Sequence, residues 1–466
     1  MNLTAAAANG GWVLSSLPEA LAFRAGLHRV EEVQREVLLR IVRRNRDTEF
    51  GRQHDFASIR TVDDYLARVP VRTYEDFEPY IERQALTAEA VEHFEPTSGS
   101  SGAVKLIPYT RSLRAEVARA IATWVVSSFR EKPRAFNGRA YWSLSPVGVG
   151  PRTTASGVRI GFDGDDEYVG RVRGALVRAV QAVPSKVRHL ADIEAFRRET
   201  LSHLLRCRSL SMISVWHPSF LLLLLGDAQP DWPNLRVISC WTDAGAAPAA
   251  AELARRFPHV RIEPKGLLST EGVVSIPIGA EAPALAYRSH FVELRPMDDH
   301  HEVILTTGGG LYRYATGDLV DIAGYRGNCP LLRFVGRMKV VDHFGEKLHE
   351  LFVRERIERF VRAPFAMLAL EGDHYTLFID TDMPLDAQKL DEALRESFHY
   401  DYCRRLGQLG PVEVLRVEHG AYQRAMASEQ KLGGIKPPAV DARRGWSERL
   451  TPRPAHPPSS SPRTSG

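Results

Sequence analysis

The sequence predicts an α/β protein with a smaller α+β unit behind it, and three observations carry that prediction. Between Thr110 and Pro264, amphipathic segments alternate with short β-branched or aromatic runs, the pattern of helices crossing over a parallel sheet. From Gly336 the character shifts to short strands and two helices over about one small domain's length. Beyond Pro437 the chain turns to Pro, Arg and Ser, with few apolar residues besides Trp446 and Leu450. These shifts divide the chain into a large domain over 1–335, a small one over 336–437 and a disordered tail over 438–466.

The elements follow in order. Pro18 to Arg44 reads as one helix, with Leu27, Val30, Val33, Val37, Leu38 and Ile41 at helical spacing. A polar turn ending at Gly51 stops it. Thr61 and Thr73 each stand before early acidic residues and N-cap two short helices, with Val69-Pro70-Val71 extended between them. Thr110–Phe129, Val169–Val183, Asp192–Cys207, His217–Leu225 and Pro248–Phe257 read as helices. Ala140–Leu144, Met212–Trp216, Leu235–Trp241 and Val260–Pro264 suit buried strands. Ser289–Leu294 and Glu302–Thr306 follow as strands, and Gly308-Gly309-Gly310 as a turn. In the smaller unit Lys347–Val361 and Asp386–Tyr400 read as helices, and Ala366–Leu370, Tyr375–Ile379 and Val412–Val417 as strands.

Composition narrows the class of function. With 44% hydrophobic and 25% charged residues, the 466-residue chain can bury sizeable cores. A net charge of +4 leaves no basic footprint for nucleic acid or an anionic membrane. Four widely spaced cysteines without a C-x-x-C pair predict reduced thiols and a cytoplasmic protein. The first residues lack the basic start of a secretory signal, and the longest apolar run, Phe220–Leu225, is too short to cross a bilayer.

Four stretches carry candidate chemistry. In Thr97-Ser98-Gly99-Ser100-Ser101-Gly102, two glycines allow successive N–H groups to face one concavity. The hydroxyls and nearby Lys105 add donors for phosphate oxygens, although a plain Ser/Gly surface turn has the same composition. In Gly266-Leu267-Leu268-Ser269-Thr270-Glu271-Gly272, a carboxylate at a strand end beside hydroxyls could hold Mg²⁺, or could cap a helix. In Tyr312-Arg313-Tyr314-Ala315-Thr316-Gly317-Asp318, the carboxylate could accept both hydroxyls of a ribose, or simply close a turn. Gly336-Arg337 falls where the composition changes and reads as a ligand-bearing hinge or an ordinary linker turn.

In this order the four stretches resemble those of the adenylate-forming superfamily. Asn45-Arg46-Asp47-Thr48-Glu49-Phe50-Gly51, Val69-Pro70-Val71-Arg72-Thr73-Tyr74-Glu75-Asp76 and Trp216-His217-Pro218-Ser219-Phe220 resemble, more closely, the Gretchen Hagen (auxin-responsive) acyl-acid amido synthetases. The resemblance runs from about Val33 to Pro438.

It implies a large α/β domain with mixed sheets that binds ATP and an acyl acid, followed by a small mobile domain. The implied activity is ATP-dependent activation of a carboxylic acid as an acyl-adenylate, then transfer to an amine, usually of an amino acid. Thr97, Ser98, Gly99, Ser100, Ser101, Gly102 and Lys105 would cradle phosphates, Ser269 and Thr270 would meet the nucleotide, and Glu271 would meet Mg²⁺. Asp318 would grip the ribose and Arg337 would act at the hinge. Lys436, in a K-x-P-like ending, would reach the α-phosphate, with Lys347 as the other choice. Helices between Thr110 and Leu225 would line the acyl pocket, and Leu267 stands where the superfamily usually has a Tyr on the adenine. A monomer acting on small molecules is expected. An acyl-CoA ligase, an enzyme loading a carrier protein and a catalytically idle binding homologue are the alternatives.

Overall fold

The computed structural model describes residues 2–96, 105–143, 152–154, 157–161, 171–190, 192–279, 281–297, 299–338, 340–341, 343–344, 346, 348–405, 407–426 and 437–450. The chain separates into two compact units: one spans Met1–Met338, the other begins at Lys339 and takes in the residues after Pro437. The change therefore falls three residues beyond the boundary predicted at 335.

The larger unit begins with two helices, Leu3–Ala25 and Val30–Arg44, where the sequence predicts one. Gly26 ends the first, its N–H donating back to the carbonyls of Ala22 and Phe23. A Cβ there would lie 2.7 Å from the hydroxyl of Tyr287, so the break is also where a distant tyrosine docks. Thr61 and Thr73 close capping boxes with Asp64 and Asp76, as their spacing predicts.

Four parallel strands, Arg139–Trp142, Leu210–Ser214, Val237–Cys240 and Arg261–Pro264, lie side by side in sequence order. Helices Ile193–Arg206, Pro218–Leu225 and Ala247–Arg256 connect them, and a core of Ile213, Ile238, Leu221, Leu253 and Phe196 fills the space. All five residues of Leu210–Ser214 are buried, as a strand covered on both faces requires.

A second, antiparallel sheet has the order Phe291–Met297, His300–Thr306, Tyr314–Arg326, Cys329–Arg337, Ala284–Leu285, Ser275–Ile276. The third pairs Leu106–Tyr109 with His93–Pro96, Arg159–Ile160 and Arg152–Thr153. The larger unit is thus α/β with mixed sheets.

Long-range bonds fix the N-terminal helices onto the antiparallel sheet. The Gln34 amide donates to the carbonyls of Tyr287 and His290, at 2.6 and 2.7 Å, and accepts from the Val292 N–H. Tyr65 shares a hydrogen bond with Thr306 across 241 residues of chain. Gly308 and Gly309 are needed for close approach: a Cβ on Gly308 would lie 2.6 Å from a Glu116 carboxylate oxygen, and on Gly309 2.7 Å from the Pro108 carbonyl.

The smaller unit is a four-stranded sheet, ordered Glu413–Arg416, His374–Ile379, Ala366–Glu371, Val440–Asp441, packed by helices Glu350–Phe360 and Ala387–Leu394. The helix predicted over 386–400 is instead two, Ala387–Leu394 and Phe398–Arg405.

The tail predicted from 438 is ordered as far as Leu450. Val440–Asp441 adds a parallel strand, Trp446 is fully buried, and its backbone N–H donates to Glu371 at 2.7 Å. Its ring stacks on Tyr422. One indole and one strand outweigh a composition rich in Pro and Arg. Among the described residues no helix is long and apolar enough to cross a membrane.

Candidate active site

The antiparallel pair His93–Pro96 and Leu106–Tyr109 sets both ends of the Ser/Gly stretch, with Pro96 opposite Leu106. Thr97, Ser98, Gly99, Ser100, Ser101 and Gly102 themselves lie outside the described residues. The strand that leaves the stretch is tied to the second motif: buried Tyr109 donates its hydroxyl to the Thr270 carbonyl at 2.9 Å. Lys105 is engaged by the helical preamble formed by the short helices Val62–Arg68 and Tyr74–Glu82, its ammonium 3.7 Å from Glu75 and 5.2 Å from the Tyr74 ring centre. Tyr74 in turn accepts the Leu106 N–H at 2.7 Å.

Ser269, Thr270, Glu271 and Gly272 form a tight turn rather than a helix start. The Ser269 and Gly272 backbones exchange N–H bonds of 2.9 and 3.3 Å, and Leu268 bridges Val273. Gly266 enters at φ +79° with the Ser275 carbonyl 2.3 Å from where a Cβ would stand, so only glycine fits. Leu267 packs on the main core. The Glu271 carboxylate has no hydrogen-bond or ion-pair partner among the described residues.

The third and fourth motifs are one structural feature. Asp318 on strand Tyr314–Arg326 faces Arg337 on strand Cys329–Arg337, and Arg337 Nε donates to Asp318 Oδ1 at 2.6 Å. Asp318 is 1% exposed, while the Arg337 side chain keeps 50% of its surface. The Asp318 carboxylate, and after it that of Glu271, holds the guanidinium above its ordinary value against the opposing effect of burial. Tyr314 is pushed up by burial first and by Glu271 second. Asp318 and Glu271 thus both lie close enough to act on the Arg337 charge. Gly317, at φ +72°, turns the strand so that Asp318 follows Thr316, whose hydroxyl accepts the Asp318 N–H.

Lys347 and Lys436 lie outside the described residues, but their flanks are anchored. Fully buried Glu346 accepts the N–H groups of His343 and Phe344, at 2.9 and 2.7 Å, and the Tyr375 hydroxyl. Beyond Lys436, the Ala439 N–H donates to Glu350 at 3.1 Å and its carbonyl accepts from Leu368 at 2.8 Å.

Several residues of consequence carry no local sequence signal. Arg313, inside the third motif, forks onto Glu293 at 3.0 and 2.8 Å and donates to the carbonyls of Leu66 and Val69. It stands at φ +52°, and its own carbonyl takes the Arg72 N–H, so it clamps the preamble to the sheet. Lys265, at the carboxyl end of the parallel sheet, is 8% exposed, bonds Ser214 and lies 5.0 and 5.8 Å from the Trp216 and Trp124 ring centres. Glu263 beside it accepts from the Trp124 indole at 3.0 Å, and burial raises its carboxyl above the ordinary range. In open parallel sheets that carboxyl end is where ligands bind. Partners scattered over such distances along the chain could not be paired from spacing.

The donor set suits a magnesium ion that arrives with phosphate. Among the described residues no group of three His, Cys, Asp or Glu could hold a metal alone. One unpartnered carboxylate, Glu271, suits a cation that takes most of its remaining ligands from phosphates and water.

The solved structure of a GH3.15 acyl acid amido synthetase matches with a TM-score of 0.72 at 18% identity, covering 92% of this chain and 94% of that one. Indole-3-acetic acid-amido synthetase GH3.10 of Arabidopsis thaliana is 28% identical, over 31% of this chain and only 29% of its own length. The probable indole-3-acetic acid-amido synthetase GH3.12 of Oryza sativa subsp. japonica is 24% identical, over 85% of this chain and 88% of its length. The GH3 family N-terminal domain matches residues 22–229, its central domain 287–337 and its C-terminal domain 340–440. With three consecutive domains matched in order on the fold and motifs described above, the chain belongs to the GH3 family.

Proposed function

We propose that this protein is an ATP-dependent acyl-acid amido synthetase, joining a small carboxylic acid to an amine, in the first instance an amino acid. The observation that carries this reading is the 2.6 Å bond from Arg337 to buried Asp318 on adjacent strands, together with the Tyr109–Thr270 bond that ties the strand leaving the Ser/Gly stretch to the Glu271 turn. The names of the relatives, amido synthetases of indole-3-acetic acid and of jasmonate, support it.

The reaction has two balanced steps. The acid's carboxylate attacks the α-phosphorus of ATP and expels pyrophosphate, leaving an acyl-adenylate. The amine then attacks the acyl carbon, AMP leaves with the bonding pair, and the ammonium proton passes to solvent or base. Magnesium, when bound, neutralises phosphate charge. Glu271 would hold it, Asp318 would take the ribose, and Thr97–Gly102, Lys105, Ser269 and Thr270 would face the phosphates. Arg337 holds Asp318 in place for this. Lys436, or Lys347 in its stead, would offer its ammonium to the α-phosphate, an interaction made in the transition state more than in bound ATP.

The test is acid-dependent exchange of labelled pyrophosphate into ATP across a panel of carboxylic acids, followed by mass spectrometry with mixed amino acids or CoA. An N-acyl amino acid and AMP, with CoA unconsumed, is the expected product set. Stoichiometric acyl-CoA without amide would overturn the reading. Lys436→Ala should slow exchange far more than it weakens ATP binding, and loss confined to Lys347→Ala would move the role there.

A further inference from the structure

Glu116, on helix Arg111–Glu131, and His290, just ahead of strand Phe291–Met297, form a carboxylate–imidazole pair that none of the motifs accounts for. His290 is fully buried and Glu116 is 3% exposed. Their Nδ1 and Oε2 atoms stand 2.9 Å apart. The same Oε2 accepts the Gly308 N–H at 2.9 Å. Nδ1 faces a carboxylate and so carries the hydrogen of that bond. Nε2 is left buried with no partner among the described residues.

That nitrogen is aimed at the Thr270–Glu271 turn. A Cβ on Gly272 would lie 2.9 Å from Nε2 and 3.1 and 3.3 Å from the ring carbons beside it. The imidazole edge therefore abuts the turn at the one residue that lacks a side chain. Glu116 lies on the helix that follows strand Leu106–Tyr109, whose Tyr109 already holds the Thr270 carbonyl. The turn is thus gripped on one side by a hydroxyl and bounded on the other by an imidazole.

We infer that the Glu116–His290 pair is a buried brace that sets the position of the Ser269–Gly272 turn, with His290 a positioning residue for the nucleotide step. The pair is assigned no contact with acid or nucleotide. It acts by holding Thr270 and Glu271 where phosphate and its cation arrive. A buried polar atom without a partner is uncommon, because it gives up hydration for nothing. Here it is a ready hydrogen-bonding site for the turn when the turn's own reciprocal bonds give way to a ligand. This rests on the reading of Thr270 and Glu271 as nucleotide-facing.

The test compares His290→Phe, His290→Asn and Glu116→Gln with the wild type in the full chain. The readouts are thermal unfolding, affinity for ATP with and without Mg²⁺ by calorimetry, and pyrophosphate exchange with an acid that the wild type accepts. His290→Phe should keep the ring's bulk, yet lose about tenfold in magnesium-dependent ATP affinity. Its affinity for metal-free ATP should change less, and the shorter but polar His290→Asn should recover part of the loss. Gly272→Ala should show the same defect, and combining it with His290→Ala should add little to the loss of His290→Ala alone, because both act on the one contact at 2.9 Å. Variants that melt lower yet bind Mg-ATP like the wild type would overturn the brace, as would strictly additive Gly272 and His290 effects. A wild type that binds Mg-ATP but exchanges no pyrophosphate would sink the proposed activity instead, and the affinities would still decide the brace. A wild type that does not bind Mg-ATP at all would overturn both.

Discussion

Replacing Arg337 by methionine should destabilise the larger unit more than replacing its partner Asp318 by asparagine. The reason is the asymmetry of their burial. Asp318 is 1% exposed and loses a 2.6 Å charge-assisted bond when the guanidinium goes. Breaking a fully buried pair in this way costs roughly 3–5 kcal/mol. The Arg337 side chain is 50% exposed, so water follows it in and the loss falls to about 1.5–3 kcal/mol. In a unit of this size that corresponds to about 2–4 °C in Tm. Asp318→Asn leaves only a half-exposed cation that water can solvate, at a cost below about 1 kcal/mol. For nucleotide the order should reverse, because Asp318 is the ribose acceptor of the proposed site: Asp318→Asn should weaken ATP binding by roughly tenfold or more. The double variant carries no buried charge and should melt above Arg337→Met alone. Scanning calorimetry of the three variants beside ATP titration decides it. Equal losses, or a double variant that melts lower than either single one, would refute the reasoning.

Trp446→Ala removes a fully buried indole stacked on Tyr422 and should cost about 3–5 kcal/mol, seen as early melting of the smaller unit; a wild-type melting curve would show that the segment contributes nothing. Burial pushes the Cys240 and Cys329 thiols up to about 12 and Cys403 is equally buried, so iodoacetamide at neutral pH should label only the partly exposed Cys207 in native protein, as read by peptide mass mapping. Glu263 has a folded-state value raised by burial, so its contribution is most favourable below the ordinary carboxylate range and declines as pH rises toward the raised value. Glu263→Gln should therefore gain on the wild type in urea midpoint from about pH 4 upward, and a gap independent of pH would count against the burial argument.

What the sequence made legible and what it hid divide along a physical line. Helix starts were readable because their signal is local: Thr61 and Thr73 cap with an acid three residues on. Parallel strands were readable because a strand covered on both faces is rich in apolar residues, although Leu210–Ser214, with its two serines, begins two residues before the predicted Met212–Trp216. The break at Gly26 was not, because its cause is Tyr287, more than 260 residues away. The order of Val440 to Leu450 was missed because one buried Trp446 counts for little in a composition average and for much in a core. In the site, Glu271 and the Asp318 and Arg337 motifs were found as separate pieces. That Arg337 holds Asp318 follows only from the register of two antiparallel strands. Arg313, Glu116 and His290 were invisible because their chemistry lies in partners far along the chain.

The way the N-terminal helices are held has a consequence for synthesis. Gln34, Tyr65 and the Val69 carbonyl find their partners at Tyr287–Val292, Thr306 and Arg313, separated by 241 to 258 residues. At about 5–20 residues per second, a ribosome needs roughly 10–50 s to make that intervening chain. Through that interval the inner face of helix Val30–Arg44, with Val37, Leu38 and Ile41, lacks the sheet strand that later packs against it. The nascent chain therefore carries one apolar helix face long before its cover is made, and yield in a cell should respond to chaperones that hold short apolar helices at the exit tunnel.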